Sequence, residues 1–108
     1  MSNKLGLKEF VDNVKNAGRI IIPERLIDDK NLQTRRILGI TIEDQKNIVR
    51  SVETSDYHQG PMDDKDSKRG GVLWVFKKEA FGEMFYIKLK YLEDDNKVIA
   101  ISCHIDNI

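Results

Sequence analysis

Residues 72–105, VLWVFKKEAFGEMFYIKLKYLEDDNKVIAISCHI, decide the fold. Three runs rich in β-branched and aromatic residues, Val72–Lys78, Met84–Leu92 and Lys97–Ile105, are separated by short polar connections at 79–83 and 93–96. That spacing predicts three strands in an antiparallel meander. Alternation then sorts their side chains, because successive residues of a strand point to opposite faces. In the second run Phe85, Ile87, Leu89 and Tyr91 form the apolar set, and Tyr86, Lys88 and Lys90 the polar one. In the third run Ile99, Ile101, Cys103 and Ile105 are expected to face the core, leaving Ser102 and His104 on the open side. Trp74 and Phe76 share a face of the first run and are expected in the core.

Upstream the pattern changes from a period of two to one of three to four. Leu7, Phe10, Val11 and Val14 form one stripe of a helix of about three turns, and Gly18 stands at its end. Ile20-Ile21-Ile22 is too short for a helix, and Pro23 is expected to open a helical turn carrying Leu26 and Ile27. A short helix is expected from Asn31 to Leu38, ended by Gly39. Thr41, with Asp44 three residues on, predicts an N-cap and a helix to about Val52 that carries Gln45, Ile48 and Val49. Residues 54–71 read as a long polar connection, of a length that in compact domains is often functional. The expected fold is α+β, with N-terminal helices packed on one face of a small antiparallel C-terminal sheet. At 108 residues the chain fits one domain spanning 1–108.

Composition narrows the function classes. Eighteen Lys and Arg balance eighteen Asp and Glu, so long-range steering of a polyanion is weak and any nucleic-acid contact must be a local patch. Such a patch is visible: residues 72–92 hold four lysines against two glutamates. Cys103 is the single cysteine, which excludes an internal disulfide. No run approaches the ~18 apolar residues of a membrane-spanning helix. The first residues lack an apolar stretch of signal-peptide length, so the cytoplasm is the expected compartment. Asp63, Asp64 and Asp66 lack the spacing of a cation loop, and Cys103 and His104 point to opposite faces. No metal and no cofactor are therefore expected.

The open face should carry Tyr86, Lys88, Lys90, Ser102 and His104. Two cations, a phenol and an imidazole can hold a phosphodiester and move its protons. Histidine titrates near neutrality, and ammonium groups stabilise the charge of a transition state. The same spacing also describes an ordinary solvated face. Reading residue by residue stops at an anion-binding surface.

A resemblance goes further. Ser55-Asp56-Tyr57-His58-Gln59-Gly60-Pro61, Val72-Leu73-Trp74-Val75-Phe76, Phe85-Tyr86-Ile87-Lys88-Leu89 and Ile101-Ser102-Cys103-His104 resemble, in order and spacing, segments of MqsR-type toxins. Val14-Lys15-Asn16-Ala17-Gly18 resembles the end of their first helix. The similarity runs over about residues 7–105. It implies a RelE-like fold and a ribosome-independent endoribonuclease that cleaves single-stranded mRNA and is neutralised by a cognate antitoxin protein. It also implies that Tyr86 matches a tyrosine of the family's site. His104 stands where the family has a lysine, His58 or Gln59 where it has another, and Val75 where it has a glutamine. These departures leave the acid–base assignment and the cleavage sequence open. The catalytic expectation is His104 for proton transfer, Lys88 for phosphate stabilisation, Tyr86 for positioning, and His58 and Gln59 as second acid–base or orienting groups. Tyr57, Lys77 and Lys90 are expected RNA contacts. The alternative is a non-catalytic module that binds RNA or a protein through the same face.

Overall fold

The structure, a computed structural model, describes residues 3–65, 67–68 and 70–108. Helix α1 spans Asn3–Asn16 and buries Leu7, Phe10, Val11 and Val14, as their spacing requires. The chain then turns at Gly18, whose N–H donates to the Asn96 carbonyl at 2.8 Å. Strand β1, Arg19–Ile21, follows. The helical turn expected after Pro23 does not form. Asp28 adopts φ 55 and Asp29 caps the next helix. The approach to that helix is irregular, and Leu26 and Ile27 lie outside the core.

Helix α2 is Lys30–Leu38, capped by the Asp29 carboxylate on the Leu32 N–H at 3.0 Å. Gly39 ends it at φ 66, the left-handed conformation in which a glycine is least strained. Helix α3 is Ile42–Arg50. Thr41 and Asp44 form the reciprocal capping box, with bonds of 3.0 and 2.9 Å. The helix ends two residues before Val52, which is still fully buried.

The long connection contains a strand that was not expected. Strand β2, Tyr57–Asp63, is an edge strand and mostly solvent-exposed. It shows no apolar alternation, and its pairing is irregular. Strands β3 (Val72–Ala80), β4 (Glu83–Leu92) and β5 (Lys97–Ile105) form the expected antiparallel meander. The sheet order is β1-β5-β4-β3-β2, with β1 parallel to β5. The fold is thus α+β with a five-stranded mixed sheet, rather than a small antiparallel one confined to the C-terminal half.

One hydrophobic cluster joins the two halves. Trp74 and Phe76 stack on Phe10 with ring centroids 5.5 and 6.1 Å apart. Phe85, Ile87 and Leu89 are fully buried beside them. Strand β5 departs from simple alternation. Lys88 pairs with Ser102 but Leu89 pairs with Ala100, so Ile101 is an extra residue in a β-bulge. A bulge shifts the side-chain phase by one. Val98 and Ala100 therefore join Cys103 in the core, while Ile99 and Ile101 are only half-buried.

Strand β1 pairs only with residues 97–99 of β5. Beyond that point the exposed edge of β5 is satisfied by side chains of α2 and α3. Asn31 accepts from the Cys103 N–H at 2.8 Å and donates to the Ile101 carbonyl at 3.2 Å. Thr34 Oγ1 accepts from the Ile105 N–H at 3.0 Å. Gln45 Nε2 donates to the carbonyls of Cys103 and Asn31 at 2.9 and 3.0 Å. These buried polar side chains replace the missing strand, as buried backbone groups demand. No helix among the described residues is long and apolar enough to cross a membrane.

Candidate functional site

Cross-strand pairing arranges the open face in rows. One row is Lys77, Tyr86 and His104. The next is Gln59, Val75, Lys88 and Ser102. Tyr86, Lys88, Ser102 and His104 therefore share one face of the sheet. The Tyr86 and His104 rings stack, with centroids 5.5 Å apart and planes at 24°. They line a cleft of about 660 Å³, whose opposite wall comes from residues 25–31, including Arg25, Asp29 and Lys30.

His104 was expected to be solvent-accessible, but it is only 8% exposed. Tyr86 covers one ring face, and residues 25–31 face the imidazole across the cleft. Its Nδ1 lies 2.8 Å from the Ile105 carbonyl oxygen. That oxygen can only accept, so Nδ1 carries the proton and Nε2 holds the lone pair. Burial pushes the pKa of His104 down, and the charge of Lys30 acts in the same direction. The Ile105 hydrogen bond and Asp106 oppose the shift without reversing it. At neutral pH the ring is uncharged and basic at Nε2.

A pH dependence of stability follows. The folded-state value of His104 lies below the usual 6.5, so as pH falls the unfolded chain takes up the proton first. Its contribution to stability is complete above that value, and is lost as pH drops through the folded-state value. Melting temperatures are expected to fall on the acid side in the wild type, and less steeply in His104→Gln. Parallel curves for the two proteins would assign the acid sensitivity to other groups.

The remaining expected residues divide. Lys88 is half-buried and has no ion-pair partner among the described residues. Lys77 pairs with Asp106 at 3.0 Å. Lys90 is not presented to solvent as expected. It is 5% exposed and pairs with Asp64 at 2.9 Å beneath the loop that contains Gly71. Tyr57 lies on the helix side of the sheet, edge-on to Trp74 at 6.0 Å, with its hydroxyl donating to the Gly60 carbonyl at 2.7 Å. His58 and Gln59 are exposed on β2. Strands are spaced by ~4.8 Å, so His58, three strands from His104, does not join it in one constellation.

Arg25 and Lys30 were missed by sequence reasoning. They reach the cleft only because the start of α2 packs beside β5, and no residue spacing announces that contact. Asp29 beside them stays ionised. Burial alone would raise its carboxyl, but the N–H groups of Leu32 and Arg25 and the Arg35 guanidinium hold it below the usual range. Burial pushes the Cys103 thiol up to about 12, the behaviour of an unreactive buried cysteine. Of the acidic loop, Asp63 is exposed, Asp64 is paired with Lys90, and Asp66 lies outside the described residues. Among the described residues no group of three His, Cys, Asp or Glu side chains is placed to hold a metal ion.

A scan of the chain against protein-family models finds no match, and searches of curated proteins and of solved structures find none that matches.

Proposed function

We propose that this chain is a toxin-type endoribonuclease that cleaves single-stranded mRNA independently of the ribosome by acid–base catalysis. The observation that carries the reading is the stacked Tyr86–His104 pair in a cleft walled by Arg25 and Lys30, with Lys88 one row away. The resemblance of residues 7–105 to MqsR-type toxins supports it.

RNA supplies its own nucleophile. His104 Nε2 takes the proton of the 2′-OH, and the 2′-oxygen attacks the adjacent phosphorus. Lys88 and Arg25 offset the charge that grows on the phosphoryl oxygens. Tyr86 orients the phosphate or a neighbouring base. The P–O5′ bond breaks, and in an in-line displacement the leaving oxygen departs towards the opposite wall, where Lys30 offers it a proton. The products are a 2′,3′-cyclic phosphate and a 5′-hydroxyl end. His58 and Gln59, exposed on β2, contact the RNA strand away from the cleaved bond. The protein works in the cytoplasm, restrained by an antitoxin that binds it tightly.

The test is incubation of the purified protein with a defined RNA in EDTA, beside the same sequence fully 2′-O-methylated. Cleavage of the first alone, leaving cyclic-phosphate ends, is expected. An RNA that survives intact, with and without added magnesium, overturns the nuclease reading in favour of a non-catalytic binding module. Activity that chelation abolishes and magnesium restores overturns the metal-free mechanism.

A further inference from the structure

The hairpin joining β3 and β4 breaks a local rule. Ala80 pairs with Glu83, leaving a two-residue turn of Phe81 and Gly82. Both have positive φ, 52 and 75, which is the type I′ geometry. The first position of that turn favours Asn, Asp or Gly, because other side chains are strained there. Among the described residues the other non-glycine residues at positive φ are Asp28 and Asn96, types that tolerate it. Phe81 therefore carries a strain that Asn would avoid. Phe81 is 54% exposed and lies outside the hydrophobic core, so core packing does not account for it.

The position of the tip supplies a reason. Met84, 45% exposed, lies two residues from Tyr86 and so on the same open face. Asp106, which lines the cleft, donates its N–H to the Met84 carbonyl at 2.9 Å. Met84 thus lies on the open face between the Tyr86–His104 pair and the hairpin tip. At ~3.3 Å per residue the tip is roughly 15 Å from Tyr86, a span that a short single strand covers. Glu79 and Glu83 flank the tip. They disfavour a phosphate there and leave an aromatic face as the chemistry on offer.

We propose that Phe81 is a base-stacking subsite, taking an unpaired nucleobase of the RNA a few nucleotides from the cleaved bond, with Met84 packed beside it. This rests on the ribonuclease reading and extends it to how the substrate is held. Stacking on an aromatic ring is tolerant of sequence because every base has a π face. The subsite therefore adds affinity without adding cleavage specificity.

The probe is a fluorescent, fully 2′-O-methylated oligonucleotide, which binds but is not cut, titrated against wild type, Phe81→Asn and Phe81→Trp. Phe81→Asn should bind about tenfold more weakly. Its salt dependence should be unchanged, because no phosphate contact is lost. Its melting temperature should be equal or higher, because Asn-Gly suits the turn better. Phe81→Trp should retain wild-type affinity. Equal affinity of Phe81→Asn and wild type overturns the subsite and leaves the tip to a protein contact. Weaker binding accompanied by a lower melting temperature overturns it as well, by assigning the ring a structural role. A wild type that binds no oligonucleotide overturns the ribonuclease reading itself.

Discussion

His104→Ala is expected to reduce RNA cleavage by about 10²–10⁴-fold, the usual contribution of one general acid or base. The geometry gives this histidine one task. Its Nδ1 proton is committed to the Ile105 carbonyl, so the ring presents Nε2 in a single tautomer. Burial, with the charge of Lys30, keeps the ring neutral, which suits it to accept the 2′-OH proton. The substitution also removes a ring that is 8% exposed and stacked on Tyr86. Stability should therefore fall by about 1–2 kcal/mol, or roughly 5–10 °C in melting temperature. The measurement must accordingly be a single-turnover rate at a temperature where each variant is folded. His104→Gln retains bulk and a donor for the Ile105 carbonyl, but has no nitrogen that titrates near neutrality. It should be as inactive as alanine while melting closer to wild type. Full activity in folded His104→Ala would end the role proposed for this residue and move attention to the exposed His58 on β2.

How much of this was legible in the sequence depends on what each residue's environment is made of. Strand β4 was read correctly because its apolar and polar sets alternate cleanly and the whole strand keeps one phase. The shared face of Tyr86, Lys88, Ser102 and His104 follows from the same period, since the bulge at Ile101 lies before Ser102 in the chain. The bulge itself left no sign. Val98 and Ala100 are apolar, as are Ile99 and Ile101, so either phase satisfies a hydrophobic pattern. Strand β2 is an exposed edge with shifted register and shows no alternation at all. The burial of His104 and Lys90 was out of reach for a different reason. Residues 25–31 face His104 across the cleft, and Asp64 and Gly71 lie against Lys90; all are distant in the chain and carry no periodic signal.

Gln45→Ala should be among the most destabilising single substitutions in the protein, at about 3 kcal/mol, lowering the melting temperature by on the order of 15 °C. The Gln45 side chain is fully buried. Its Nε2 serves the carbonyls of Asn31 and Cys103, and its Oε1 accepts from Arg35 Nη1 at 2.7 Å. Truncation removes the side-chain partner of the Cys103 carbonyl and of the Arg35 guanidinium and opens a cavity, and each effect alone is worth about 1–3 kcal/mol. Gln45→Leu tests which dominates. It restores volume but not the hydrogen bonds, so it should recover only part of the loss. The effect should also be directional. Gln45 braces Asn31, and Asn31 holds the Ile101 carbonyl and the Cys103 N–H along the strand edge next to His104. Removing the brace should loosen β5 locally before the whole domain unfolds. Amide exchange at Cys103 and Ile105 should accelerate more than at Ile87 in β4, and the buried Cys103 thiol should begin to react with a thiol reagent under native conditions. A Gln45→Ala protein that melts within about 2 °C of wild type and keeps Cys103 unreactive would show that the open edge of β5 does not depend on this amide.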